Sequence, residues 1–329
     1  MHSKVAGASG KGRRYLKVCI PVLAGPTGAG KTGLVTSLNP DRFEVVSLDS
    51  RQIYRGLTIG TAAPDQEVLS HMTHHLVGFL DPDQTFTAAQ YRLLAIQAIE
   101  SIIQRRRIPL LVGGAGFYLE LLRSGPFQIQ EDLRIKDEIR SMSHEERLGK
   151  LESSDPHCIV SEGEQPSRGR IHRNDAYRVE RYLTLVLSSG MTMAEIWAKK
   201  EASAQESPYD FQGWFLYPGE DTLWERLKLR AAQMVESGLL QEARDCRDSY
   251  GSDCPGLQIL GYSEVLDCLD GKMDRWELEE KLWILHRQYA RRQRIWFQKR
   301  KYVQFVDSLD AARLQSLCVN LFSGPRINH

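Results

Sequence analysis

The sequence predicts an α/β fold, a parallel-sheet core interrupted by an all-helical insertion domain, and three observations carry that prediction. Residues Gly25-Pro26-Thr27-Gly28-Ala29-Gly30-Lys31-Thr32 complete a G-x-x-x-x-G-K-[ST] phosphate loop between an apolar run and a helical pattern. Over the first ~120 residues, apolar runs alternate with helical stretches, as parallel βαβ units do. From about residue 124 to 209 the pattern turns helical, charged and poor in β-branched runs. The core is therefore expected to be P-loop NTPase-like.

Residues 18–24 read as the first strand, although Pro21 removes a ladder N–H and predicts a bulge or a pairing gap. A helix over 32–38 follows the loop and is ended by Asn39-Pro40. Residues 43–48 form a short apolar strand that stops at Asp49, and 75–80 a weaker one closed by Asp81-Pro82-Asp83. Thr87 and Gln90 make a capping box that opens a helix running to about Arg106. A buried strand over 108–112 runs into Gly113-Gly114-Ala115-Gly116, and residues 161–169 look like a loop within the insertion. From Leu223 helices resume, broken around 253–261.

At 329 residues the chain exceeds what one core usually supports. The organisation expected is a disordered basic tail (1–17), a first core part (18–123), the insertion (124–209), a second core part ending in a basic helix (210–310), and a tail (311–329). A hydrophobic fraction of 42% and a charged fraction of 26% are those of an ordinary globular chain. No apolar run approaches the ~20 residues a bilayer span needs, so no membrane is expected. The basic start lacks the apolar centre of a signal peptide, and six cysteines show no ligand spacing, which predicts a reduced, cytoplasmic compartment.

Net charge is only +1, but it is unevenly placed. Between Lys281 and Phe305 stand eight Lys/Arg and no Asp/Glu, interleaved with Trp283, Tyr289, Trp296, Phe297 and Tyr302. Such a stretch suits either a phosphate-backbone surface or a solvated helix face over a core.

In a phosphate loop, backbone N–H groups around Gly25, Thr27, Gly28, Ala29 and Gly30 hold phosphate oxygens. Lys31 adds a point charge and the Thr32 hydroxyl completes a Mg²⁺ shell. Ligands of open α/β sheets sit beyond the carboxyl ends of the strands, so Asp49 and Gly113–Gly116 are expected beside the loop. Asp49 fits either a metal-shell residue or a general base. Adjacent His74 and His75 in a strand face opposite ways and are expected to make structural hydrogen bonds, not to share a metal.

Asp49-Ser50-Arg51-Gln52-Ile53-Tyr54-Arg55-Gly56 and Ile59-Gly60-Thr61-Ala62 carry a closer resemblance. Together with the loop, His74-His75-Leu76, Leu111-Val112-Gly113-Gly114, Asn174-Asp175-x-x-Arg178-x-x-Arg181, Leu223-x-x-Arg226-x-x-x-Arg230-x-x-x-Met234, Leu260-Gly261-Tyr262 and Arg291-Arg292-Gln293-x-x-Trp296, they resemble the tRNA dimethylallyltransferases. These isopentenyl-diphosphate:tRNA transferases prenylate the adenosine just 3′ of the anticodon. The matches run from about Val18 to Trp296 in one order. The D-S-x-Q element is the specific one, because the loop alone is shared with many unrelated enzymes.

The resemblance implies transfer of a five-carbon group from dimethylallyl diphosphate to an exocyclic amine, with Mg²⁺ as cofactor. It assigns proton removal to Asp49, and Lys31 and Thr32 to the departing diphosphate. Arg226 and Arg230, about a helical turn apart, become candidates for a guanidinium on the diphosphate or for a surface ion pair. It places Asp49, Ser50, Arg51 and Gln52 against the extracted base. Arg178, Arg181, Gly261, Tyr262, Arg287, Arg291, Arg292 and Gln293 go to the tRNA anticodon arm, over which the insertion closes, with the enzyme acting as a monomer. Extrusion of a stacked base costs a few kcal/mol, which pocket contacts offset.

This chain also departs from the family pattern. Ala115 replaces a threonine whose hydroxyl reaches the diphosphate, Arg173 stands where proline is common, Ser263 stands where a basic residue is usual, and 162–168 resembles an insertion. Competing readings are an adenylate isopentenyltransferase using free nucleotide, a P-loop small-molecule kinase, and a non-catalytic RNA-binding module. The long insertion and basic helix favour RNA over a nucleotide. The D-S-x-Q element disfavours a kinase, and intact Lys31, Thr32 and Asp49 disfavour a non-catalytic module.

Overall fold

A computed structural model describes residues 17–125, 129, 131–161, 164, 169–202 and 207–323. The expected basic tail, Lys17 excepted, and most of 162–168 lie outside the described residues. The chain forms two compact units, Met1–Arg123 with Ser207–His329, and Ser124–Glu206.

In the first unit, β1 (Val18–Ala24) leads through the loop into α1 (Lys31–Thr36), then β2 (Phe43–Leu48), α2 (Thr58–Thr61), α3 (Gln66–His71) and β3 (His74–His75). There follow α4 (Ala88–Gln104), β4 (Ile108–Gly113) and α5 (Gly116–Ser124). The second unit holds α6 (Leu133–Ser141), α7 (His144–Ser154), α8 (Ala176–Ser189) and α9 (Met193–Ala202). The chain then returns through β5 (Tyr209–Leu216), α10 (Glu220–Glu236), α11 (Leu239–Tyr250), a 3₁₀ turn at Pro255–Gln258, α12 (Tyr262–Leu269), α13 (Arg275–Gln298), β6 (Val303–Val306) and α14 (Ala311–Ser323).

The six strands form one parallel sheet in the order β3-β2-β4-β1-β5-β6. Every residue of β2 is buried, as expected of a parallel strand covered on both faces. Gly113 of β4 is in register with Ala24 of β1 on one side and Leu48 of β2 on the other. The chain segments that follow, Gly25 onward, Asp49 onward and Gly114 onward, therefore leave the same edge of the sheet side by side.

The pairing gap expected at Pro21 is on the β4 side. The β1–β5 register runs unbroken from Val18 to Ala24, whereas the β1–β4 ladder begins only at Val22. The strand expected over 75–80 is confined to His74–His75, because Leu76 adopts a left-handed φ of 64° and turns the chain off the sheet. The two histidines are hydrogen-bonded structurally, His74 Nδ1 to the Met72 carbonyl at 2.7 Å and His75 Nε2 to Glu44 at 2.7 Å.

Of the expected tail over 311–329, residues 311–323 are corrected to the helix α14, and 324–329 lie outside the described residues. Leu314 and Cys318 are fully buried one turn apart and pack into the cluster that holds Leu23, Val35 and Leu38. Strands β5 and β6, which the sequence reading missed, extend the sheet beyond β1.

The second unit has its own core, with Ile139, Leu151, Val179, Leu183 and Ile196 at its centre. Ser143 and Glu146 cap α7 reciprocally, and the buried Asp155 carboxylate accepts from the Met193 N–H at 2.7 Å.

Candidate active site

The loop is held open by its backbone. Gly28 and Gly30 take φ values of 78° and 96°, which a side chain would resist, and the Gly25 N–H donates to the Gly113 carbonyl at 3.1 Å. The Lys31 ammonium donates to the Gly25 and Pro26 carbonyls, both at 2.8 Å, so it lies along the inside of the loop. Loss of water lowers its pKa to about 8, with Asp49 opposing that shift and Arg230 adding to it.

One cavity of about 650 Å³ lies over this edge of the sheet. The loop, Asp49, Arg51, Gln52, Arg226 and Arg230 all line it. Asp49 accepts the Arg51 N–H at 2.9 Å, and among the described residues no ion pair closes on its carboxylate. The Arg51 guanidinium stacks on the Tyr289 ring of α13 at 3.9 Å. Gln52 donates to the Ala62 carbonyl at 3.0 Å. Helix α10 leans on the loop through Leu223 and Leu227, whose methyls crowd Gly28. It brings Arg226 to the Ala29 carbonyl at 3.4 Å and sets Arg230 near both Asp49 and Lys31. Burial pulls the Arg230 guanidinium down and Asp49 holds it up.

A cation-lined loop facing an unpaired carboxylate across one cavity can bind a polyanion and accept a proton beside it. The Thr32 hydroxyl and the Asp49 carboxylate are among the hard oxygens on its wall, and among the described residues no His/Cys/Asp/Glu cluster could hold a metal unaided. That donor set suits Mg²⁺, which keeps waters and shares phosphate oxygens.

The family model for IPP transferase matches residues 52–300. A tRNA dimethylallyltransferase of Leptospira interrogans is 38% identical over 89% of this chain and 96% of its own length. The chain belongs to this family. A tRNA dimethylallyltransferase of Petrotoga mobilis is 35% identical over 87% of this chain and 92% of its own. The crystal structure of a tRNA isopentenylpyrophosphate transferase from Bacillus halodurans is 30% identical and superposes with a TM-score of 0.63, covering 94% of this chain and 96% of that one. A eukaryotic dimethylallyltransferase acting on tRNA superposes with a TM-score of 0.75 over 95% of this chain and 81% of that one; at 23% identity it speaks to the fold alone.

Not every residue expected on the RNA is free to meet it. Tyr262 is 1% exposed and its hydroxyl donates to Glu242 at 2.5 Å, while Gly261, at φ 97°, caps α12 against Leu282. Gln293 is 5% exposed and donates to the Gly114 carbonyl at 3.0 Å. Gly261 and Tyr262 are thus buried away from both solvent and the cavity and are corrected from direct RNA contacts to structural positions, whereas Gln293 lies on the cavity wall. Ser50 and Ala115 do not line the cavity. Ala115 packs half-buried against the sheet core, and a Cβ at Gly114 would meet the Gln293 amide at 1.9 Å.

Arg287 stacks over Trp224 and Trp283, Arg291 over Trp224, and Arg292 lies 5.7 Å from the Tyr289 ring. In the second unit Arg178 pairs with Asp175 at 3.3 Å and Arg181 pairs with Glu131. His286, which the sequence reading missed, lines the cavity. Burial and the nearby Arg230 and Arg51 hold its pKa at about 4, so it stays neutral. The signal for it was present: His286, Tyr289 and Gln293 share one face of α13 at i, i+3, i+7.

Proposed function

We propose that this protein transfers a dimethylallyl group from dimethylallyl diphosphate to the exocyclic amine of the adenosine 3′-adjacent to the anticodon in tRNA. The observation that carries the reading is the single cavity shared by the phosphate loop and the open Asp49 carboxylate. Loop N–H groups and Lys31 grip the diphosphate, with Arg226 and Arg230 at its flank. As the amine nitrogen bonds to the allylic carbon, the carbon–oxygen bond breaks and diphosphate leaves with the electron pair. Asp49 takes the amine proton during attack, when that weakly basic nitrogen becomes acidic. Mg²⁺ held at Thr32 supplies further neutralisation of the leaving group when bound. Arg51 and Gln52 face the acceptor, and Arg287, Arg291 and Arg292 meet the RNA backbone, the first two held by tryptophan stacking.

The test is incubation with labelled dimethylallyl diphosphate and either unmodified tRNA or AMP. Label is expected on tRNA alone. Transfer to AMP would favour a nucleotide acceptor, and transfer to neither would sink the reading. Neutralising Arg291 and Arg292 together is expected to flatten the salt dependence of tRNA binding by about one counterion for each phosphate no longer neutralised, with donor binding unchanged.

A further inference from the structure

Helix α2 forms one wall of the cavity, and its own sequence supplies no side chain to cap its first N–H groups. It is four residues long, and Leu57, at its N-cap, offers no side-chain acceptor for the N–H groups of the first turn. A single turn is unfavourable by itself, since nucleation fixes several dihedrals for one hydrogen bond. The missing acceptor comes from Glu242 on α11. Its carboxylate accepts the Ile59 N–H at 2.7 Å and the Gly60 N–H at 2.9 Å, with the Thr58 hydroxyl at 3.4 Å. The Tyr262 hydroxyl donates to the same carboxylate at 2.5 Å. Gly60 makes that arrangement possible, because a Cβ there would lie 2.5 Å from the Tyr262 ring. At its other end, α2 is tied to Gln52 through the Ala62 carbonyl.

We propose that Glu242 is a positioning residue for the acceptor. It caps α2 from a distant helix and so keeps the Gln52 side of the cavity preformed. Resting on the proposed transfer to tRNA, this role separates the two substrates. The loop's bonds run to Gly113, Pro26, Lys31 and Arg226, and none passes through α2. Loss of the cap therefore loosens the acceptor side and leaves the diphosphate side intact.

The experiment compares wild type, Glu242→Gln and Tyr262→Phe in steady-state transfer to tRNA, with inorganic diphosphate as competitor against the donor. Glu242→Gln exchanges one acceptor oxygen for an NH₂ group facing a backbone N–H. It is expected to raise the tRNA KM about tenfold, with the diphosphate inhibition constant and kcat within about threefold of wild type. Tyr262→Phe leaves both backbone bonds in place and is expected to move the tRNA KM by less than about threefold. If Glu242→Gln does not fold, Glu242→Asp, charged but one methylene short, carries the same test with a smaller rise in tRNA KM. Equal weakening of tRNA and diphosphate, or no change in either, overturns the role. A wild-type protein that transfers nothing to tRNA overturns the functional reading and this role with it.

Discussion

Strand β2 carries a carboxylate near each end, and the two live under opposite conditions. Glu44, at the start, is 1% exposed and fully engaged. Arg105 donates to it at 2.6 and 3.0 Å, His75 at 2.7 Å and Arg107 at 3.2 Å. Burial pushes its pKa up, yet the Arg105 and His75 hydrogen bonds outweigh that and hold it at about 2. Asp49, just past the other end, has a backbone N–H and open space, with Lys31 near it but bonded to the loop carbonyls and Arg230 near it without an ion pair among the described residues. The difference separates a structural charge from one left available at the two ends of the same strand. The first is closed by its neighbours. The second leaves its electrostatic demand to be met by something that arrives.

The sharpest way to break the comparison is Asp49→Asn. It is expected to lower turnover by roughly 10²–10⁴-fold while leaving the fold and tRNA binding intact. A variant with normal saturated turnover but lost diphosphate or Mg²⁺ affinity would place Asp49 in a metal shell instead.

Glu44→Gln should do the reverse, sparing activity per folded molecule and costing about 2–3 kcal/mol of stability by urea unfolding. That is below the figure for a wholly buried pair because Arg105 and Arg107 are partly solvated. Because the folded pKa of Glu44 lies below its ordinary 4.5, its contribution is complete above that value and is lost as pH falls toward 2. Loss of activity without loss of stability would erase the distinction between the two ends.

A third test uses Lys31, whose pKa of about 8 lies below its ordinary 10.5. In the ligand-free protein its charge is lost as pH rises through about 8, so diphosphate affinity is expected to fall by up to about tenfold per pH unit above that point. Stability moves the other way, rising between about 8 and 10.5, where only the unfolded chain still holds the proton. Calorimetry on wild type and Lys31→Arg checks this, since the arginine should show no inflection near 8.

The smallest effect is expected at Ala115. Its side chain lies off the cavity wall, so Ala115→Thr should change turnover by less than about tenfold, or about 1.4 kcal/mol. A larger gain would show that a hydroxyl there does reach the leaving group.

Much of this site is legible in the sequence because its parts are local. The phosphate loop, the apolar strand ending at Asp49 and the D-S-x-Q run each lie within a few consecutive residues. Resemblance extends that reading to Arg226 and Arg230. What cannot be read there depends on distant partners. Glu242 meets Ile59 across 183 positions, and Tyr262 and Gln293 look like surface polar residues until helix packing turns them inward. Strand β5 is hidden because it follows a long helical insertion and merges with the end of it at Tyr209. Helix α14 is hidden because it stands last in the chain, where a short segment reads as a tail, although the spacing of its apolar positions is helical.

Strands β1 and β2 are not neighbours; β4 lies between them, matched to both at the same residue. Two interstrand spacings, about 9.5 Å, therefore set the gap between the root of the anion-gripping loop and the root of Asp49. The sheet serves as a ruler. The distance from the phosphate loop to the start of the Asp49 segment is set by main-chain geometry, so side-chain drift around the cavity can retune its lining without altering that span.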